Sequence, residues 1–214
     1  MRRKIVPFFA LLVVTLLGSV APAQAGPAIP YQAHPEGHSY QEWLQLVGQF
    51  YLGDASNPLI AGLGGDCGQL IDGVFFMAAP IDVGVEFECE VPVGTPIVLS
   101  HAGFFTTEGI DGDTDEELLA AAEAAFVTVS DSLSIDGRAI RVSPISAGAF
   151  DVVSEPGSFY DSILGVGTGP IRTALIGNLV FLHPMSPGDH TIETEVTFTG
   201  SGGAFSATYH VHVS

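Results

Sequence analysis

The clearest pattern in the chain is the strict alternation of apolar and acidic residues over 85–91 (VEFECEV). Successive side chains of an extended strand point to opposite faces, so Val85, Phe87, Cys89 and Val91 share one face and Glu86, Glu88 and Glu90 the other. Cys89 is thereby aimed at a core. The same period returns near the C-terminus, where residues 191–198 place Ile192, Val196 and Phe198 inward. The last strand sets Phe205, Ala207, Tyr209, Val211 and Val213 against Thr208, His210 and His212. Continuous apolar runs at 74–78, 97–99 and 174–183 suit strands covered on both faces.

Two segments carry a helical period instead. Trp43, Leu44, Val47 and Tyr51 recur at helical spacing over 40–51, and Gly53 suits the stop. A second helix starts near Asp113 or Thr114 and runs to about Phe126. Thr114 and Glu117 have capping-box spacing, Asp115 and Glu116 favour the positive end of the helix, and Leu118, Leu119, Ala122, Ala125 and Phe126 form its apolar stripe. Residues 127–132 either extend this helix or begin a strand.

Turn residues punctuate the rest. Asp136-Gly137 predicts a type I′ hairpin pairing Ile135 with Arg138 and Leu133 with Ile140. Ser186-Pro187-Gly188-Asp189 fits a type II turn, and residues 200–203 turn the chain again. Residues 54–73, with Asn57-Pro58 and several glycines, read as a long loop carrying Cys67. Short strands between Gly and Pro turns predict a mainly β fold, a β-sandwich or jelly roll with an N-terminal helix and one inserted helix. Residues 26–39, rich in proline, form an extended N-terminal arm, and 40–214 a single domain.

The first 25 residues read as a secretory signal, with Arg2, Arg3 and Lys4 ahead of an apolar stretch and Ala23-Gln24-Ala25 as the cleavage site. Its removal takes every lysine and leaves three arginines against 24 acidic residues, a formal charge of −21. Such a body repels nucleic acid and anionic membrane surfaces, so the expected partner is a neutral or cationic extracellular ligand. No later apolar run reaches the length of a membrane span. Two cysteines behind a signal sequence predict a Cys67–Cys89 disulfide.

Several landmarks together resemble an uncharacterised family of secreted prokaryotic proteins. They are Trp43, Asn57-Pro58, Cys67-Gly68-Gln69, the strand at 74–78, Cys89 with Val91-Pro92-Val93-Gly94, Pro187-Gly188-Asp189-His190-Thr191-Ile192, and Thr208-Tyr209. The Pro-Gly-x-His-Thr ending is also similar to bacterial Ig-like modules, a resemblance that implies binding more than catalysis.

Candidate chemistry is sparse. Asp111, Asp113 and Asp115 place three carboxylates two residues apart, a ligand type that suits Ca²⁺, although Glu116 and Ala122 stand where an EF-hand loop needs Gly and Glu. His210 and His212 share a strand face at a spacing that offers two imidazoles to Zn²⁺, but a third ligand is missing, since His190 has the parity of the inward Ile192. His34 and His38 in the arm are a weaker pair. No nucleophile elbow, dinucleotide fingerprint or P-loop is present.

Two functions follow. The first is a secreted acidic β-sandwich with a non-catalytic binding or surface role. The alternative is an extracellular hydrolase acting on a glycan or other neutral polymer, its carboxylates drawn from Glu86, Glu88, Glu90, Glu193 and Glu195. A buried convergent pair of acids in a cleft would favour the hydrolase; a flat exposed acidic face would favour binding.

Overall fold

The computed structural model describes residues 27–56, 67–80, 82–199 and 203–214. Helix α1 (Tyr40–Gly48) runs into a wider π turn at Gln49–Gly53. It is followed by β1 (Gly68–Ile71), β2 (Val74–Met77), β3 (Val85–Val91), β4 (Ile97–Thr107) and α2 (Asp115–Ala125). Strands β5 (Thr128–Ile135), β6 (Arg138–Ala139), β7 (Pro144–Ser154), β8 (Gly169–Leu182), β9 (Gly188–Phe198) and β10 (Ala204–Val213) complete the chain. Two five-stranded sheets result, ordered β1-β2-β4-β8-β7 and β3-β10-β9-β5-β6. The fold is a β-sandwich, as the alternating strands predict.

The burial patterns explain the two kinds of strand. The inward face of the first sheet, with Phe75, Met77, Ile97, Leu99 and Val180, packs on Cys89, Ile192, Tyr209 and Val211 of the second. Its other face, with Val74, Phe76, Val98, Leu179 and Phe181, receives Trp43, Leu44, Val47 and Phe50. A sheet covered twice needs apolar residues at consecutive positions, so β2 is buried throughout and β8 from Thr173 to Leu182. The second sheet has one wet face, and β3 alternates accordingly.

The N-terminal arm is an ordered part of this packing. Ile29 N–H donates to the Phe181 carbonyl at 2.8 Å, and Ala28 bridges Leu182, so the arm lies along β8. Ser39 and Glu42 close a capping box at the start of α1, and the Trp43 indole donates to the Pro35 carbonyl at 2.8 Å. One tryptophan thus ties arm, helix and sheet together.

The hairpin at Asp136-Gly137 forms with Ile135 opposite Arg138, and Ile140 N–H donates to the Leu133 carbonyl. Both turn residues have positive φ, 50° and 71°, as a type I′ turn requires. Asp72-Gly73, with φ of 48° and 83°, makes the same kind of turn. It joins β1 to β2, so residues 68–71 form a strand where the glycine-rich composition predicts loop.

Other expectations are corrected by topology. The segment ahead of β9, where the sequence suggests a type II turn, does not join neighbouring strands but carries the chain from the first sheet to the second. Strand β10 is not an edge, because β3 pairs beside it in parallel from Val85↔Ala207 to Val91↔Val213. In α2, Leu118 and Ala122 are buried, whereas Leu119 and Phe126 are half-buried. Thr114 accepts from Glu117 N–H, but the Glu117 carboxylate turns to Asp113 N–H instead of completing the box.

Residues 1–25, which the sequence reads as a signal, Asn57-Pro58 and residues 200–202 lie outside the described residues. Among the described residues no helix is long and apolar enough to cross a membrane.

Candidate functional site

The residues with the strongest shared chemistry lie on the outer face of the second sheet. Strand β10 lies between β3 and β9, with Thr208, His210 and His212 in register with Glu86, Glu88 and Glu90 of β3 on one side. On the other side they meet Glu193, Thr191 and Asp189 of β9. The pleat turns all of these outward, and Glu195 continues the β9 row. Six exposed carboxylates therefore share one sheet face: Glu86, Glu88, Glu90, Asp189, Glu193 and Glu195.

Positive charge is kept away from this face. Arg138 sits on β6, at the opposite edge from β3, with Arg141 just beyond it. Arg172 belongs to β8 of the other sheet, where it bonds Asp115 and Asp151. The histidines answer the acids locally. His212 Nδ1 lies 2.6 Å from Asp189 Oδ1, and that hydrogen bond, reinforced by the charge of Glu90, holds the imidazole above its ordinary pKa.

A second polar group lies between the sheets. A β-bulge in β4 separates Ser100 from Ala102, and the intervening His101 is 1% exposed. Its Nε2 lies 2.6 Å from Asp131 Oδ1 on β5, and the other carboxylate oxygen of Asp131 accepts from the Asn178 amide on β8. An imidazole oriented by a carboxylate is the usual arrangement of a general base. Here the other nitrogen, Nδ1, is buried and has no hydrogen-bond partner among the described residues. The contacts among His101, Asp131 and Asn178 tie the two sheets together.

Asp111, Asp113 and Asp115 do not converge. Asp111 Oδ2 accepts from Thr107 N–H at 2.8 Å, closing the turn after β4, while Asp113 presents its backbone to Glu117. Asp115 is gripped by Arg172 through Nε at 2.9 Å and Nη2 at 2.7 Å, which lowers its carboxyl pKa. Among the described residues no group of three His, Cys, Asp or Glu side chains is placed to hold a metal ion. Spacing in the sequence puts the three acids close, but the turn and the helix start aim them apart. His38 packs edge-on against Trp43, and His190 is bonded to Asp136 and the Ser186 carbonyl.

Cys67 and Cys89 are joined in a disulfide, which pins β3 to the chain just before β1. A cavity of about 230 Å³ opens beside β4 between α1 and the end of β10, lined mainly by apolar groups such as Val47, Tyr51, Phe105, Phe159 and Phe205. Ser100 and His101 contribute polar side chains to its wall, and no acid lines it among the described residues.

No family model matches the chain, and no curated protein matches it. Among solved structures, a chain from PbICP-C in complex with falcipain-2 is similar at 11% identity, with 62% of this chain and 91% of that chain covered. Its TM-score of 0.25 is too low to carry an argument.

The sequence names the five glutamates of the acidic face but not their assembly, and it reads Asp189 as a turn residue. Their outward parity is legible, whereas the parallel placement of β3 beside β10 has no local signal. Asp131 and His101 are missed altogether, because a bulge and a cross-sheet contact leave no mark on the local pattern.

Proposed function

We propose that the protein is a secreted, non-catalytic binding protein that takes a cationic partner on the outer face of its second sheet. The observation that carries this reading is the segregation of charge: six carboxylates lie on neighbouring strands β3 and β9 around β10, and the sheet's one arginine among the described residues, Arg138, sits on the far edge strand β6. The first sheet has no comparable face, since α1 and its π turn cover it. With the signal segment removed, the whole chain adds a field of the same sign, which speeds the approach of a cation and repels polyanions.

The flatness of the face favours binding over hydrolysis. Glycoside cleavage needs two acids flanking a bond, one of them held protonated by its surroundings. Here the acids lie side by side on open strands, and among the described residues the cavity beside β4 has no carboxylate in its wall. Incubating the mature protein in parallel with a cationic polypeptide, neutral glycans and a polyanion, and following both binding and chain length, separates the readings. Salt-sensitive binding of the polycation alone is expected. Shortening of a glycan, or equal binding of all three polymers, would contradict the proposal.

A further inference from the structure

Strand β3 ends the second sheet. Among the described residues its strand neighbour is β10, on one side, and no strand lies on the other. The N–H and C=O groups directed to that side along Val85–Val91 form an open template for another extended chain. The edge is also held rigid, by seven parallel pairs with β10 and by the disulfide at Cys89.

The side chains of this edge select what can pair with it. A second copy of β3 would set the row Glu86, Glu88 and Glu90 against an identical row, and like charges side by side on paired strands are unfavourable. A strand with Lys or Arg at alternate positions reverses that sign. The two-residue repeat of about 6.6 to 6.8 Å is shared by all strands, so its cations fall beside the three glutamates in succession. Its intervening residues then turn to the side of Val85, Phe87, Cys89 and Val91, where apolar groups fit.

We infer that the free edge of β3 captures an extended segment of alternating basic and apolar residues as a sixth strand of the second sheet. This rests on the cationic-partner reading above and adds the mode of capture: backbone pairing supplies affinity, and the glutamate row supplies selectivity. The preformed edge spares the protein the ordering cost of binding, so that cost falls on the partner.

The test uses the mature, disulfide-intact protein and a capped peptide of alternating Lys and Val, seven residues long. Two further peptides have the same sequence but carry backbone N-methyl groups, on the lysines in one and on the valines in the other. Charge is the same in all three, and each methylated set blocks one edge of the strand. Strand addition predicts that one methylated peptide binds as the parent does while the other is weaker by about tenfold or more, since each lost hydrogen bond costs about 1 kcal/mol. Equal affinities for the two methylated peptides overturn strand addition while leaving charge-driven binding intact. Failure of the parent peptide and of polylysine to bind at low salt removes both the capture and the reading it rests on.

Discussion

His101 on β4 and Asp131 on β5 join the two sheets across the sandwich, with the imidazole Nε2 2.6 Å from the carboxylate. Asp131 shares the inward parity of Leu133 and Ile135, so the strand itself delivers a carboxylate to a position where the pattern calls for an apolar side chain. Asn178 takes the second carboxylate oxygen.

Removing the acid strands both partners. Asp131→Ala should cost about 2 kcal/mol, because His101 and Asn178 are buried and left unpaired. The double variant Asp131→Leu/His101→Leu should lose less than the two single changes added together, since it removes donor and acceptor at once. Urea unfolding midpoints check both, and additive losses would show that the pair is not coupled.

The disulfide closes a loop with a sequence separation of 22 residues. Reduction should remove about 3 kcal/mol on the loop-entropy argument and release β3 from the start of β1. Alkylation of the denatured, unreduced protein should add nothing to its intact mass, whereas two added alkyl groups would mean that the cysteines are free.

Thr114 caps α2 by accepting from Glu117 N–H at 3.2 Å. Thr114→Ala should destabilise by about 1 kcal/mol, while Thr114→Ser should be close to neutral. Thermal or urea midpoints measure the difference, and an unchanged midpoint in the alanine variant would count against the cap.

His190 should make stability fall in mild alkali. Its Nδ1 lies 2.8 Å from Asp136 Oδ2 and its Nε2 2.9 Å from the Ser186 carbonyl, so both ring nitrogens face acceptors and the imidazolium satisfies both. Burial opposes that charge, but the Asp136 hydrogen bond and the Ser186 carbonyl outweigh it and hold the pKa above its ordinary value of 6.5. A raised folded-state pKa gives stability that is complete below pH 6.5 and is lost as pH rises through the folded value. For Asp136, burial raises the pKa, yet the bonds from His190 and Thr191 lower it overall, so its share is present above 3.8 and is lost in acid. Unfolding midpoints should therefore decline from about pH 6 to 8, and His190→Gln should reduce the decline. An identical slope in the variant would remove His190 from the account.

The extent to which this architecture is legible follows the range of the interaction. VEFECEV reads as a half-wet strand because alternation is local, and Asp136-Gly137 reads as a hairpin because the turn fixes its own backbone. Asp72-Gly73 carries the same signal, but the glycines ahead of it hide the strand at 68–71. The crossing from β8 to β9 also looks like a turn between neighbours, since Pro187 and Gly188 bend the chain alike whether it stays in one sheet or changes sheets. Nothing local sets β3 beside β10, so the sequence shows three glutamates and two histidines on outward faces without showing that they are one face. The acids at 111, 113 and 115 are the reverse case: adjacency in sequence suggests a cluster that the turn and the Arg172 ion pair pull apart.

In the proposed function, charge placement, not net charge, makes the acidic face a binding surface. It is tested by measuring polylysine affinity of the mature protein against two variants that lose the same three charges. One is Glu86→Gln/Glu88→Gln/Glu90→Gln on β3; the other is Glu36→Gln/Glu116→Gln/Glu123→Gln, three exposed acids off that face. A loss of about tenfold or more is expected in the first and little change in the second, with added salt shrinking the difference. Equal affinity in the two variants would contradict it.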